Sequence, residues 1–489
     1  MQPPLDKRSL RVLDKDDLIA LPLQQNEILM AQSARIAGLE KEIEALKSQL
    51  VKNSRNSSKP PSSDGYGKPH PKSQRKKNGR SSGGQPGHKG STLKQVEHPD
   101  YTQEHTVSHC THCQADLSSQ AVITVDTRQV FDLPEIKVAV TEHRAHIKLC
   151  PHCNHRVKAK FPVAVTQSVQ YGNGVRATAT YLSQYQLLPY QRLQELFHDL
   201  FQIRLSQGTL NNILNRGHQQ LEPFEGSAKA MLKTSGVVHF DESGIRLKKK
   251  LNWLHVASTQ KLTCYHIDPK RGAGAMNAMA ILPMFQGHAV HDHWSSYYAY
   301  DCQHVLCNAH HLRELTFAEE QHQQRWASKL STCLLDAKQE VDDAKALNAP
   351  SLDASRVTYF DRRYSRLLRA GCDEIPVLPI GDPRRRGKKK QHKVKNLHDR
   401  LVKHKKEVLA FLYDFSLPFD NNLAERDVRM VKVKQKTSGC FRSDQGAETF
   451  CRIRGYISTV KKQGRNVFSA LCDAFDGAAL IIAEKNHTA

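Results

Sequence analysis

Residues 236–258 read Gly-Val-Val-His-Phe-Asp-Glu-Ser-Gly-Ile-Arg-Leu-Lys-Lys-Lys-Leu-Asn-Trp-Leu-His-Val-Ala-Ser, and this stretch limits the fold more than any other. Val237, Val238 and Phe240 run into Asp241, and after a Lys248-Lys249-Lys250 turn the chain resumes with Trp253, Leu254 and Val256. β-Branched and aromatic residues on both sides of a polar turn predict a β-hairpin. A carboxylate in the middle of an apolar strand is costly to bury unless a cation or a hydrogen-bond network compensates it, so Asp241 needs a partner. Further on, Gly287-His-Ala-Val-His-Asp292 predicts a second short strand ending in a carboxylate, and Asp420-Asn-Asn-Leu-Ala-Glu425-Arg426 an acidic helix start. Two strand ends and one helix then deliver three carboxylates. Hard oxygen ligands of this kind suit a pair of magnesium ions, with positions left for water and phosphate.

The surrounding pattern extends the hairpin. A third strand is predicted over Leu262 to Ile267, a helix over Gly274 to Phe285, a fourth strand over Ala289 to Asp292, and a fifth over Val305 to Asn308 entering a helix at Ala309 to Leu315. An antiparallel hairpin extended by strands alternating with helices is the ribonuclease H-like α/β pattern. About a hundred helical, polar residues precede Leu417-Pro-Phe-Asp-Asn-Asn, and they include the basic run Arg384-Arg385-Arg386-Gly-Lys388-Lys389-Lys390.

At 489 residues the chain has room for roughly three domains. A formal net charge of +23 favours a polyanionic partner, DNA or RNA before membrane, against the plainer reading of a solvated basic surface. No apolar run reaches the roughly eighteen residues of a membrane span, and Met1-Gln-Pro-Pro-Leu-Asp-Lys-Arg lacks the apolar core of a secretory signal. The expected compartment is the cytoplasm. Twelve cysteines there point to metal or buried thiols rather than disulfides.

Near the N-terminus, Leu29, Ile36, Ile43 and Leu50 recur every seven residues, with Leu39 and Leu46 three beyond Ile36 and Ile43. The pattern fits a short coiled coil, Ile at a and Leu at d leaning towards a parallel dimer, or else a single amphipathic helix lying on its own protein. From Asn53 to about Gly90 little is apolar: Asn56 to Asp64, Lys72 to Arg80 and Gly83 to Gly90 read as a flexible basic linker, a tether whose charges can also lie along phosphates.

Cys110-Thr-His-Cys113 and Cys150-Pro-His-Cys153 are two Cys-x-x-Cys knuckles with 36 residues between them. Two such turns make a four-thiolate cage for a structural Zn²⁺, which leaves no open position for substrate. Alternating strands are expected between them, over Val122 to Leu133 and Ile136 to Ile147. Asn154 tolerates the left-handed turn such knuckles use, and Gln114 suits it less well. From Gly174 to Gly217 the pattern is helical. Two short helices, the second starting at a Ser206 cap, suit a helix-turn-helix in which Gln207, Thr209, Asn211 and Asn212 face DNA, or equally an ordinary packed helix pair.

These landmarks together resemble a family. Asn56 to Asp64, Gly83 to Gly90, the four knuckle cysteines, Phe240-Asp-Glu-Ser-Gly244, Cys307-Asn-Ala-His-His-Leu-Arg-Glu314, Asp420 to Arg426, Lys434-Gln-Lys-Thr-Ser-Gly439 and Gly446-Ala-Glu448 are similar to those of DDE transposases of the insertion sequence sixty-six family, over nearly the whole chain. The resemblance implies an RNase H-like catalytic domain with Asp241, Asp292 and Glu425 as acidic triad and dependence on Mg²⁺ or Mn²⁺. It also implies action on the terminal inverted repeats of a mobile element and on a DNA target. Ser243 departs from the family pattern, where Thr is expected, as do His291, His293 and Trp294 around Asp292.

The expected chemistry is that of a polynucleotidyl transferase, with Asp241 bridging two ions and Asp292 and Glu425 each completing one. Arg426, Arg429 and Lys432 follow Glu425 within two turns, and Arg429 shares its face, placing it to hold a phosphate. Alone, Glu425 would read as a helix-start carboxylate favoured by the dipole. His310 and His311 read as metal ligands, phosphate contacts or packed helix histidines. Two other functions fit the same pattern, an RNase H-like nuclease and a catalytically inactive DNA-binding regulator. The expected fold is multidomain α+β: an N-terminal helix with likeness to a coiled coil (1–52), a basic linker (53–95), a zinc-ribbon type module (96–165), a helix-turn-helix-like DNA-binding region (166–232), an RNase H-like core (233–310 with 416–465), a helical insertion (311–415) and a C-terminal helix (466–489). Expected partners are double-stranded DNA, a second copy through the coiled coil, and accessory proteins of the same element, with no membrane.

Overall fold

The structure, a computed structural model, describes residues 14–57, 64, 90, 92–134, 136–375 and 391–482. They form two units, one running through the knuckles to Ala164 and including Leu196–Arg204, the other holding the remainder. The basic run with Arg384, Arg385, Arg386, Lys388, Lys389 and Lys390, and the linker clusters of residues 72–80 and 83–89, lie outside the described residues.

Helix α1 (Lys15–Leu50) is continuous through Pro22. Ile36, Leu39, Ile43 and Leu46 are each 51–57% exposed, so the heptad stripe is bare among the described residues. Beyond it, within the segment read as a tether, residues 53–57 form a compact turn. Asn53 Oδ1 accepts from the backbone N–H groups of Arg55 and Asn56, Asn56 Oδ1 accepts from Asn53 N–H, and Ser57 Oγ donates to Asn53 O. Arg55 pairs with Glu320 at 2.5 Å.

In the knuckle unit, Cys110 N–H donates to Ala115 O and Gln114 N–H to Cys110 O, and the same two bonds recur from Cys150 to His155 O and from Asn154 to Cys150 O. Gln114 (φ 62°) takes the left-handed conformation just as Asn154 (φ 56°) does, so the backbone turn overrides the poorer side-chain fit. The strands expected over 122–133 and 136–147 do not form. The ribbon is instead Ile147–Leu149 paired with Arg156–Lys158. Val122, Ile123, Val130, Leu133 and Val140 are 78–99% exposed. Alternation makes a strand only where a second layer covers its apolar face, and none does so among the described residues.

The helical segment holds Asn173–Thr180, continued by a π-turn at Tyr181–Tyr185, then Tyr190–Phe201, α2 (Gln207–Gln220) and α3 (Glu222–Thr234). Ser206 caps α2, its Oγ accepting from Thr209 N–H at 3.0 Å. Leu210, Ile213, Leu214 and Gly217 are the buried face of α2, leaving Gln207, Asn211 and Asn212 exposed.

The hairpin forms as β1 (Val237–Leu247) and β2 (Lys250–Ser258), turned by Lys248 and Lys249 at φ 50° and 66°. Two left-handed residues match the twist of the strands they join. β3 (Thr263–Asp268), β4 (His288–His291) and β5 (Gln303–Leu306) complete a five-stranded sheet in the order β3-β2-β1-β4-β5. β1 to β3 are antiparallel, and β4 and β5 run parallel to β1. Gly287 immediately precedes β4, where a Cβ would come within 2.6 Å of Ser235 O, so only glycine admits this close parallel approach.

Alternation along β1 divides its side chains between two cores. Phe240 packs with Ala257, Met276, Phe285 and Tyr297 on one face. Ile245, with Val256 and Leu254 from β2, packs on the other. After β5 come α4 (Asn308–His322), α5 (Arg325–Ala346), α6 (Ala354–Gly371) and α7 (Lys393–Lys403), whose own core is built on Trp326, Phe360, Tyr364 and Leu401. Leu306 of β5 and Phe419 share that core, so the helices over 311–415 pack on the end of the sheet. The chain returns through α8 (Asn422–Ser438), α9 (Asp444–Lys462) and α10 (Val467–Phe475). Ala424, Val428 and Val431 of α8 and Phe450 of α9 cover the Ile245 face.

Candidate active site

Asp241 lies near the middle of β1, opposite Val256 of β2 and on the face that α8 covers. Asp292 follows the last residue of β4. Its Oδ1 accepts from Trp294 N–H at 3.0 Å, and the chain turns there at His293 (φ 77°). Glu425 stands in the first turn of α8, where an acidic side chain meets the positive end of the helix.

One residue sets the helix against the strand. Asn421, 1% exposed, donates from Nδ2 to Phe240 O at 2.7 Å, one residue before Asp241. Its Oδ1 therefore accepts, and His239 Nδ1, 2.9 Å away, carries the proton. Asn421 N–H donates to Cys307 Sγ at 3.1 Å. Through its side chain and its backbone N–H, one buried asparagine thus fastens the start of α8 to β1 and to the entry of α4, fixing where Glu425 projects.

The three carboxylates act on one another. Burial, then the negative charges of Glu242, Asp292 and Glu425, push the Asp241 carboxyl well above the usual carboxylate range. Among the described residues no cation pairs with Asp241, whose Oδ1 accepts only from Glu242 N–H at 2.9 Å. Glu425 Oε1 is buried without a hydrogen bond among the described residues, 3.6 Å from Arg313 and 3.8 Å from His310 Nδ1. A carboxylate cluster with one orphaned oxygen is a donor set that fits divalent cations.

Glu242 behaves differently from its neighbour. On the opposite face, its carboxylate accepts from Arg271 at 2.7 Å and from Tyr297 Oη at 2.5 Å. Arg271 stacks 4.2 Å over Trp294 and reaches to 3.8 Å from Asp292. Around α4, burial and the charge of Arg313 lower His310, and burial pushes the Cys307 thiol up to about 12. His311 is turned inward, its Nδ1 3.1 Å from Asn308 Oδ1, as a packed helix histidine.

Of the cations following Glu425, Arg426 and Arg429 are exposed. Lys432 is not available to DNA in the same way, because its ammonium is half-buried and donates to Gly244 O. Sequence reasoning misses Arg271 and does not single out Asn421, Glu242, Arg313 or Cys307. The last four stand in motifs given for the family resemblance, with no role of their own assigned there. Arg271 lies 29 residues from the carboxylate it holds.

The knuckle thiols are also prepared. The backbone N–H groups of Cys113 and His112, with the Cys113 thiol, lower Cys110, and the equivalent groups of Cys153 and His152 lower Cys150. Paired thiols in two matching turns are the donor set that zinc takes. The structure forms each knuckle singly. Among the described residues, the group of three donors gathered within 4.8 Å of one another is Cys307, His310 and Glu425.

Comparison with known families covers most of the chain. The family model described as Transposase IS66 family matches residues 168–449, which hold the sheet, all three carboxylates and the helical insertion. The zinc-finger binding domain of transposase IS66 matches residues 108–154, both knuckles included. A family of unknown function matches residues 9–94. No curated protein matches the chain.

Proposed function

Because the chain belongs to the IS66 family of transposases, we propose that Asp241, Asp292 and Glu425 are the acidic triad of a DNA strand-cleaving and strand-joining enzyme. Its substrates in this reading are the terminal inverted repeats of a mobile element and a DNA target. The observation that carries the proposal is the convergence of Asp292 and Glu425 on Asp241, with Glu425 Oε1 buried and without a hydrogen bond among the described residues. The order β3-β2-β1-β4-β5, with carboxylates on the central strand and at the end of the adjacent parallel one, supports an RNase H-like core.

Two Mg²⁺ or Mn²⁺ ions held by these carboxylates would activate the attacking oxygen and stabilise the leaving one. The chain's own residues do the positioning. Asn421 fixes Glu425 against β1, and the Glu242–Arg271 pair holds a guanidinium beside Asp292. Arg313 stands 3.6 Å from Glu425, where a scissile phosphate would find a fork of donors. Exposed Arg426 and Arg429 supply charge for the flanking backbone, together with the basic run from Arg384 to Lys390. The knuckles with zinc, and α2 with Gln207, Thr209, Asn211 and Asn212, are the proposed end-binding elements. The bare stripe on α1 is the proposed seam with a second copy. Among the described residues no helix is long and apolar enough to cross a membrane.

An RNase H-like nuclease would use the same carboxylates, and a regulator would need none of them. Incubating the protein with Mg²⁺ and the DNA that flanks its gene decides between the three. Cleavage and joining at inverted-repeat ends, lost in Asp241→Asn, Asp292→Asn and Glu425→Gln with gel-shift binding retained, is the expected result. Preference for an RNA–DNA hybrid would favour the nuclease, and end binding without any cleavage the regulator.

A further inference from the structure

Three donors of different chemistry meet beside the triad. Cys307 Sγ, His310 Nδ1 and Glu425 Oε1 are the set whose ligand atoms lie within 4.8 Å of one another, and magnesium, which takes oxygen, has no use for two of them. We infer that Cys307, His310 and Glu425 form a second metal site, for one thiophilic divalent cation such as zinc, sharing Glu425 with the acidic triad.

Cys307-x-x-His310 at the start of α4 puts thiol and imidazole on the same turn of helix, and α8 brings the carboxylate from 115 residues further along. Sulfur, nitrogen and oxygen from three side chains, with one position for water, is a tetrahedral zinc set. Two donor atoms, His310 Nδ1 and Glu425 Oε1, are buried with no hydrogen bond among the described residues. The third is oriented already, since Asn421 N–H donates to Cys307 Sγ. Asp292 and Asp420 add negative charge nearby, while Arg313 and Arg400 oppose a cation. Arg313 therefore has to swing away from Glu425 on binding. The thiol loses its proton to buffer as the sulfur–metal bond forms, so the complex gains one positive charge rather than two, and affinity rises with pH.

An ion held here withdraws Glu425 from magnesium. That consequence rests on Glu425 being the third carboxylate of the triad; the binding itself does not. The test is a Co²⁺ titration of the full chain without DNA or Mg²⁺, reading the sulfur-to-cobalt charge-transfer band. The background is the full chain with Cys110, Cys113, Cys150 and Cys153 all replaced by serine, so that no knuckle thiol contributes to the band. On that background the protein should show a band that Cys307→Ser loses, and His310→Gln should weaken cobalt binding at least tenfold. Retention of the band in Cys307→Ser, or unchanged affinity in His310→Gln, overturns the site; should Cys307→Ser fail to fold, His310→Gln decides alone. Failed cobalt binding with intact end cleavage removes this site only, and intact cobalt binding without cleavage removes only the transposase reading.

Discussion

Asp241 and Glu242 are consecutive residues of β1 whose carboxylates lie on opposite faces of the sheet, one beside Asp292 and Glu425, the other gripped by Arg271 and Tyr297. The strand period of two makes this separation, and it assigns the pair different work. Asp241 is held without a counter-charge among the described residues, whereas Glu242 is neutralised within the chain.

Asp241→Asn should abolish Mg²⁺-dependent cleavage while leaving the metal-free fold at least as stable, because it removes a carboxylate that burial and three like charges disfavour. Each kcal/mol recovered would raise the melting temperature by roughly 2–4 °C. Asp292→Asn and Glu425→Gln should be equally inactive, and a double variant little worse than a single one. Cleavage assays beside thermal melts check both halves, and a double variant far slower than each single one would contradict a shared site.

Arg271→Met should act in the opposite sense. It strands the buried Glu242 carboxylate and costs about 3 kcal/mol, read as a shift in the urea unfolding midpoint. An unchanged midpoint would show that Tyr297 alone satisfies Glu242.

Stability should fall on mild acidification. His255 of β2 lies opposite both Glu242 and His266, 3% exposed, and burial with the charge of His266 lowers it to about 4. In the unfolded chain the same imidazole titrates near 6.5. Between these values the unfolded state holds the extra proton, so stability is full above about 6.5 and declines as pH falls towards 4, by up to about 1.4 kcal/mol per unit. Other buried histidines, His291 and His311 among them, are lowered in the same sense, so His255→Leu should reduce the slope in denaturant melts from pH 7 to 5 without abolishing it.

Cys150→Ser should release the knuckle zinc and expose residues 110–155 to protease, while the sheet's near-ultraviolet signal persists. Metal analysis that finds the wild-type knuckle free of zinc would refute the cage.

DNA affinity should fall steeply with salt. Neutralising Arg384, Arg385 and Arg386 should weaken all sequences alike and reduce the log–log salt slope by about 0.9 for each phosphate that is no longer neutralised. Binding titrations at 50 and 200 mM salt suffice, and a selective weakening on one sequence would point to base reading instead.

The hairpin, the succession of the later strands and the elements that carry Asp241, Asp292 and Glu425 are legible because each is a local pattern. Apolar runs, a turn of lysines and an acidic helix start all carry their own signal. Asn421 is not legible, since its three bonds reach Phe240, His239 and Cys307, more than a hundred residues away in each case. The expected strands between the knuckles fail for the converse reason. Their alternation is local and genuine, but Ile123 and Val130 have no layer to be buried against. Lys432 misleads because a lysine's spacing along a helix does not reveal that its tip folds back onto Gly244 O.

The turn after α1 gives the molecule a lever. Arg55 is bolted to Glu320, and Lys52 lies 5.5 Å over the ring of Phe317, both near the far end of α4. The near end of that same helix presents His310 and Arg313 to Glu425. Ten residues of helix between His310 and Glu320 make a strut of about 15 Å, which transmits a push or a twist with little give. Whatever grips α1 therefore has a handle on the acidic site, and in the seam proposed along that stripe a second copy would gain a say in how these carboxylates are held.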